Sequence, residues 1–296
     1  MIPRSRPTRT AIGLLLTAAL SSACQPPDRG AGLYVEHPAA WGRDMIAIYD
    51  GTFSDTARDI RIRTHTLPPE VLAANLEYPT SGAKNREIEA LIDEHGALLL
   101  TYLESHPESR VTLTGFSQGG CLALDLLYRL QQSERARAQL GRISLLLVAP
   151  ARGVQMGRST EVARRMIERC ARAEDAIVAE LERAPDSALA TLIGERTWIA
   201  WSCDDGIVGH DTFRPGGLQD RVADERVLYR RRLSHLQWTG EDVAPGDDEV
   251  YLASAIALAI TQGVDPRVAV APYGGFDGPC RACERPAGPM DSRCPG

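Results

Sequence analysis

The most informative segment of this 296-residue chain reads Gly115-Phe116-Ser117-Gln118-Gly119. Val111 and Leu113 precede it in a strand pattern, and residues 121–132 follow it with leucines at helical spacing. A serine between a strand and a helix lies on a sharp turn, and the two glycines allow the close packing that such a turn requires. The segment predicts a nucleophilic Ser117 raised above the edge of a sheet, with a plain Gly-rich turn as the alternative.

Strands and helices alternate outward from this segment. Short apolar runs predict strands, and longer stretches with helical periodicity predict helices. The predicted strands are residues 45–49, 110–114, 143–149, 197–202 and 226–233, and the predicted helices are residues 85–105, 121–132, 160–183 and 249–260. This alternation is typical of a mostly parallel sheet with helices on both faces. We therefore predict one α/β domain over residues 33–263, in which residues 151–196 are a candidate helical cap.

A nucleophilic serine needs a base that takes its proton and an acid that orients the base. The turn after the predicted strand 197–202 contains Asp204 and Asp205. We choose Asp205 as the acid because Asp205-Gly206-Ile207-Val208 resembles the Asp-x-Val-Val turn that is common after this strand. Asp204 is the alternative acid, and a pair of turn-forming aspartates is the plainer interpretation.

The predicted base is His235, which comes directly after the last predicted strand and before the last predicted helix. A histidine at that place can reach across the edge of the sheet to Ser117. His210 is the competitor, five residues beyond Asp205. The remaining histidines are interpreted as surface or loop residues: His37, His65, His95 and His106.

An oxyanion hole needs two hydrogen-bond donors. The Gln118 N–H, directly after the nucleophile, is the first. The second is predicted from Gly51 or Thr52, which follow the strand 45–49, although Asp50-Gly51-Thr52 is also a common tight turn. This mechanism requires no metal and no organic cofactor.

The order Ser117, Asp205, His235 resembles that of the α/β-hydrolase superfamily. Within it, Ile48-Tyr49-Asp50-Gly51-Thr52, the segment Leu76–Gly82 and the Ser117 motif resemble the catalytic domain of type VI secretion phospholipase effectors and their relatives. That family usually has Arg at the position of Gln118. The resemblance implies the α/β-hydrolase fold, a Ser-His-Asp acyl-enzyme mechanism and ester substrates, with lipid or phospholipid esters favoured.

The N-terminus has the layout of a bacterial export signal. Residues 1–23 contain three arginines, an apolar stretch over residues 11–20 and small residues before Cys24. The segment resembles a lipoprotein signal, which implies lipidation of Cys24 and a tether over residues 24–32. We therefore expect a periplasmic protein, or an outer-membrane or cell-surface lipoprotein, whose membrane contact is a lipid anchor on Cys24.

Composition excludes several other classes. The net charge of −6 argues against a nucleic-acid partner, and no apolar run reaches the roughly 18 residues of a membrane-spanning helix. Cys121, Cys170 and Cys203 are interpreted as small core residues. The tail over residues 264–296 contains Cys280, Cys283 and Cys294, and a Cys280–Cys283 or Cys283–Cys294 disulfide would staple it. No fourth ligand accompanies them, so no metal site is predicted.

Together these patterns predict an exported serine hydrolase that acts on small-molecule or lipid esters. Two alternatives remain from the sequence. One is a non-catalytic surface lipoprotein that retains the hydrolase scaffold for binding. The other is an acyltransferase or thioesterase with the same triad, since fold class does not settle the reaction.

Overall fold

The computed structural model describes residues 33–36, 38–51, 67–78, 85–150, 161–205, 216–234, 236–239 and 252–278. Seven strands form one sheet in the order β1-β3-β2-β4-β5-β6-β7. The strands are β1 Leu33–Glu36, β2 Met45–Tyr49, β3 Leu72–Leu76, β4 Val111–Phe116, β5 Ile143–Val148, β6 Thr197–Trp201 and β7 Val227–Tyr229. Strands β2 to β7 are parallel, and β1 is an antiparallel edge strand beside β3.

Helices cover both faces of this sheet. They are α1 Asn85–Ser105, α2 Gln118–Gln132, α3 Glu134–Arg137, α4 Glu161–Arg183, α5 Ala188–Arg196, α6 Leu252–Thr261 and α7 Pro266–Val270. Helices α1, α2, α4 and α5 bury their apolar residues against one face. Helix α6 and Trp238 pack on the other face. The strands read as continuous apolar runs because both faces are covered, as is usual for parallel sheets.

The predicted fold class is confirmed. The chain has the α/β-hydrolase fold, in which the central strand β4 runs into the turn at Ser117 and helix α2 leads away from it. Since the strands are parallel, the turns after β2, β4, β6 and β7 all lie at one edge of the sheet. None of the helices in the described ranges combines the length and the apolar character that crossing a bilayer requires.

Two strands, β1 and β3, are not predicted from the sequence. Strand β3 reads Leu-Ala-Ala-Asn-Leu, and alanine and asparagine are both unfavourable in strands. It forms because it is buried between β1 and β2, whose backbone groups it pairs on both sides. Tertiary context therefore overrides local preference at this position.

Cys121 and Cys170 are buried in the core as predicted, and Cys203 is partly buried, but none of the three is a free thiol. Cys121 in α2 and Cys170 in α4 form a disulfide, with their Cα atoms 4.8 Å apart, and Cys203 is disulfide-bonded as well. Apolar surroundings on each separate segment gave no signal of a partner 49 residues away. Cys24, Cys280, Cys283 and Cys294 lie outside the described residues.

Part of the predicted cap belongs to the helix layer on the sheet. Ile177 of α4 and Leu192 of α5 are fully buried in the same core as α2. The Cys121–Cys170 disulfide and the hydrogen bond between Gln131 and Glu180 show that α4 runs parallel to α2. Because Cys170 lies further from the start of α4 than Cys121 does from the start of α2, α4 extends beyond the N-terminus of α2 on the side of Ser117, by roughly 9 Å at 1.5 Å per residue. Residues 151–160 lie outside the described residues.

Candidate active site

The predicted nucleophile stands in a strained turn. Ser117 has φ of 52°, a left-handed value that residues with a side chain seldom adopt. Its N–H donates to the carbonyl of Val148 in the neighbouring strand β5 at 2.9 Å, and its carbonyl accepts the Gly120 N–H at 3.1 Å. The side chain makes no capping hydrogen bond to α2. Backbone contacts on both sides therefore impose the strained conformation, and the hydroxyl is not used to cap the helix.

The glycines of the motif leave no room for a side chain. A Cβ atom at Gly115 would lie 2.5 Å from the Cα of Gly120, and one at Gly119 would lie 2.2 Å from the carbonyl oxygen of Tyr49. These contacts bring the start of α2 directly against the ends of β4 and β2. The spacing that suggested a sharp turn from the sequence thus has a steric cause at both glycines.

The loop after β2 reaches the same place. A Cβ atom at Gly51 would lie 3.4 Å from the Cβ of Ser117 and 2.9 Å from Cδ1 of Phe116. Ser117 is only 5% exposed in this packing. Gln118, the predicted first oxyanion donor, is the first residue of α2, where the backbone N–H groups and the helix dipole favour negative charge.

Gly51 is one of the two residues predicted to supply the second oxyanion donor. Its N–H donates to Oδ1 of Asp50 at 2.8 Å, so this amide already has an acceptor. Thr52, the other residue predicted for this role, lies outside the described residues. The loop therefore packs against the nucleophile, while the amide of Gly51 itself serves to hold the loop.

The structure separates the two candidate acids. After β6, the Asp204 side chain is exposed, whereas Asp205 is only 1% exposed. A buried carboxylate needs compensating partners, and Asp205 has interactions within the fold. Burial at the edge that carries Ser117 distinguishes Asp205 from its neighbour.

Ser202 links the acid turn to the turn after β7. Its hydroxyl accepts the N–H groups of Asp204 at 3.2 Å and Leu233 at 3.3 Å. It also lies 3.3 Å from the carbonyl of Arg231, to which it donates. Leu233 is two residues before the predicted base. His235 itself and its competitor His210 lie outside the described residues.

One histidine interpretation is wrong. His95 was interpreted as a surface or loop residue, but it lies inside helix α1 with 2% exposure and forms a 2.8 Å hydrogen bond between its Nδ1 and the Tyr49 hydroxyl. Burial lowers the pKa of His95 to about 4. Burial likewise raises the pKa of Tyr49 well above its usual value. This hydrogen bond joins α1 to Tyr49, the last residue of β2. The apolar periodicity of α1 around position 95 was the signal that it faces the core.

Tyr78 and Ser202 are contributors that the sequence did not identify. The Tyr78 hydroxyl donates to the carbonyl of Asp50 at 2.7 Å, from 28 residues away. Ser202 contacts residues about 30 positions away. Tyr78 lies in the segment Leu76–Gly82, whose resemblance to the effector family assigns it no role, and no local pattern distinguishes Ser202. Within the residues that the structure describes, no cluster of His, Cys, Asp or Glu side chains could hold a metal ion.

No known protein family matches the sequence of the chain, and no curated protein does. Similar solved structures include an esterase from Pyrobaculum calidifontis, which is 13% identical with a TM-score of 0.46 over 86% of this chain and 89% of that one. A soluble variant of monoglyceride lipase from Saccharomyces cerevisiae is 11% identical, with a TM-score of 0.46 over 79% of this chain and 91% of that one. Est1E from Butyrivibrio proteoclasticus, solved with ferulic acid, is 10% identical, with a TM-score of 0.46 over 78% and 93%.

Proposed function

We propose that the chain is a serine hydrolase of carboxylic esters in which Ser117 is the nucleophile. The observation that carries the proposal is the φ of 52° at Ser117, between two glycines that have no space for a side chain. A non-glycine residue in this region costs about 1–3 kcal/mol and is characteristic of functional sites. A turn with only a structural role would be more stable with glycine at this position, so the serine is retained for its hydroxyl.

The proposed reaction is the hydrolysis of an ester to an acid and an alcohol. Ser117 Oγ attacks the carbonyl carbon while His235 takes the hydroxyl proton, and His235 then gives that proton to the departing alcohol. Water attacks the resulting acyl-enzyme with His235 again as the base, and the acid leaves as Ser117 regains its proton. The Gln118 N–H stabilises the negative oxygen in both steps.

Asp205 is proposed as the acid that orients His235. Two observations support this role over Asp204. Asp205 is buried where Asp204 is exposed, and Ser202 ties the acid turn to the backbone that leads to position 235. A buried carboxylate at this edge is suited to hold the histidine tautomer and to stabilise the imidazolium that forms during attack.

The test is covalent labelling with a fluorophosphonate probe, combined with steady-state turnover of a p-nitrophenyl ester. Ser117→Ala should abolish both, and Asp205→Asn should lower kcat by roughly a thousandfold or more. Asp204→Asn is the matched control, because it makes the same chemical change one residue away on an exposed side chain. We expect it to stay within about threefold of the unmodified protein.

Three results would contradict these assignments. Unchanged turnover in Ser117→Ala would remove the serine from the mechanism. A larger loss in Asp204→Asn than in Asp205→Asn would exchange the two acids. A folded protein that is neither labelled nor active would favour the binding-scaffold alternative.

Lipid or phospholipid esters are the proposed substrate class, on the resemblance of the Asp50-Gly51-Thr52 and Ser117 motifs to phospholipase effectors. The test is a series of p-nitrophenyl esters from acetate to palmitate, followed by phospholipid vesicles. A rise of kcat/KM with chain length would support lipids. A maximum at acetate would instead indicate a small-ester carboxylesterase, and faster transfer to an added alcohol than to water would indicate an acyltransferase.

We also propose export, with Cys24 as a lipidated N-terminus. The Cys121–Cys170 disulfide supports an oxidising compartment, since disulfides are rare in the reducing cytosol. Cell fractionation with metabolic palmitate labelling is the test. Cys24→Ala should lose the label and leave the membrane fraction, whereas a protein that stays in the cytosol would overturn the proposal.

A further inference from the structure

The peptide group between Asp50 and Gly51 is held at both of its ends. Its oxygen, the carbonyl of Asp50, accepts the Tyr78 hydroxyl at 2.7 Å. Its N–H, that of Gly51, donates to Oδ1 of Asp50 at 2.8 Å. Asp50 is 7% exposed and Tyr78 is 2% exposed, so water does not readily replace either bond. The orientation of this one peptide plane is therefore fixed by two side chains.

The same peptide group lies against the nucleophile. A Cβ at Gly119 would be 2.5 Å from the Asp50 carbonyl oxygen, and a Cβ at Gly51 would be 3.4 Å from the Cβ of Ser117. The Asp50 carbonyl is thus enclosed between the start of α2 on one side and the Tyr78 hydroxyl on the other. Rotation of the plane would disturb its packing against Ser117 and against the start of α2, which carries the Gln118 N–H.

We propose that Tyr78 and the Asp50 carboxylate are positioning residues for the oxyanion hole. They act through the Asp50–Gly51 peptide and do not touch the reacting atoms. This inference rests on the proposed function. The donor that they position is the Gln118 N–H at the start of α2, against which this peptide packs, since the Gly51 N–H is itself bonded to Asp50.

Tyr78 is well placed for a mild substitution. Its ring packs edge-on against Tyr49 with centroids 6.1 Å apart, so Tyr78→Phe keeps this contact and removes only the hydroxyl. The buried Asp50 carbonyl then loses the hydrogen bond from Tyr78, and the peptide plane is held only by the bond from the Gly51 N–H to Asp50. A displaced Gln118 N–H stabilises the transition state less and changes binding of the ester little, so we expect kcat to fall about tenfold or more with KM within about twofold.

The two substitutions at Asp50 give an independent measurement. Asp50→Asn retains a side-chain oxygen that can accept the Gly51 N–H, and we expect it to stay within about threefold of the unmodified kcat. Asp50→Ala removes the acceptor and should lose about tenfold or more. Recovery by the asparagine variant would show that the hydrogen bond matters, and not the charge of the carboxylate.

Tyr102→Phe is the matched control. Its hydroxyl also donates to a backbone carbonyl, that of Arg43, but this bond lies before the first residue of β2, at the opposite edge of the sheet. The variant should lose stability to a similar degree as Tyr78→Phe while keeping kcat. The rate of inactivation by a fluorophosphonate should follow kcat in all variants, because negative charge develops on the phosphoryl oxygen in the same place.

The outcomes separate this inference from the function on which it rests. If the unmodified protein is labelled at Ser117 and Tyr78→Phe matches it in kcat and inactivation rate, the positioning role is wrong and the hydrolase stands. Equal losses in Tyr78→Phe and Tyr102→Phe would also overturn it, since they would reflect stability alone. Should Tyr78→Phe fail to fold, equal kcat in Asp50→Ala and Asp50→Asn would reject the role of the Asp50 acceptor. If the unmodified protein is neither labelled nor active, both proposals fail together.

Discussion

The turns at Ser117 and at Asp205 lie at the same edge of the sheet but are held by different forces. The nucleophile turn depends on close contact between backbones: a Cβ at Gly115 would lie only 2.5 Å from the Cα of Gly120. The acid turn is held by side chains, since Ser202 bonds to three backbone groups of two segments and Cys203 is disulfide-bonded. Repulsion between backbones cannot be relieved by a small shift, whereas a hydrogen bond can be replaced at moderate cost.

This difference predicts how each turn responds to substitution. Added volume should destroy the nucleophile turn, and a lost hydroxyl should only weaken the acid turn. It also explains what could be seen in the sequence. The nucleophile turn is marked by a local motif, residues 115–119, although Tyr49 and Val148 hold it. The acid turn carries no motif for the bonds of Ser202 to a segment about 30 residues away.

The largest effect is expected at Gly119. The Cβ of Gly119→Ala would lie 2.2 Å from the carbonyl of Tyr49, so α2 and β2 must separate, and we expect a loss of more than about 4 kcal/mol in the free energy of unfolding. Urea denaturation measures it. Gly194→Ala in α5 is the control, because nothing lies within 4 Å of its Cβ and alanine should stabilise the helix by up to about 1 kcal/mol. Similar stabilities for the two variants would refute the steric account.

The disulfide beside the nucleophile turn is expected to come next. Cys121→Ala combined with Cys170→Ala releases a loop of 49 residues, for which the chain-entropy account gives a loss of about 4 kcal/mol. The buried Arg169 next to it keeps an ion pair with Asp125 at 3.2 Å, so α4 should stay in place at low temperature. Thermal unfolding of this double variant and of the unmodified protein, both without reductant, is the measurement, because reductant would also cleave the disulfide at Cys203. Equal melting temperatures would show that the Cys121–Cys170 disulfide contributes nothing.

The fold could be predicted from the sequence where the local preference of the residues agreed with their burial. Strands β2, β4 and β5 are rich in Val, Ile and Leu, and their predicted positions agree with the structure to within two residues. Strand β3 was missed because its alanines and asparagine carry no strand preference. The Cys121–Cys170 disulfide was missed because a pairing between two helices leaves no mark in either helix alone.

The site was readable only in part for the same reason. Ser117 carries a local motif, and Asp205 was chosen over Asp204 from the residues that follow it. Tyr78 and Ser202 act on segments 28 to 31 residues away, a relation that only the parallel sheet creates. The prediction for His95 is wrong because it rests on residue type alone, whereas the spacing of His95 from the buried Ile92 and Leu99 places it on the apolar face of α1.

We expect His95 to make the free energy of unfolding depend on pH, by about 3 kcal/mol. Its pKa is about 4 in the folded protein and about 6.5 in the unfolded chain. Between these values the unfolded chain binds the proton and the folded protein does not, so the free energy of unfolding falls as the pH drops from 6.5 to 4. Full stability from this group is therefore present above pH 6.5.

His95→Asn tests this effect, because the asparagine amide can take the place of Nδ1 opposite Tyr49 without titrating near neutral pH. Urea denaturation from pH 4 to pH 7 should show a shallower dependence in the variant, and carboxylates shared by both proteins cancel in the difference. Parallel curves for the two proteins would mean that His95 titrates normally.

The smallest effect is expected at Ser202, and it is the one that tests the acid turn directly. Ser202→Ala leaves the N–H groups of Asp204 and Leu233 without their acceptor, at a cost of about 1–2 kcal/mol. Ser109→Ala is the matched control: its buried hydroxyl donates to the Gly42 carbonyl at 2.9 Å at the opposite edge of the sheet. Both variants should lose similar stability by urea denaturation, but only Ser202→Ala should lower kcat, because only that serine joins the Asp205 turn to the segment leading to His235. Equal kcat in the two would mean that the acid turn keeps its position without the hydroxyl, and that the two turns differ less than their contacts suggest.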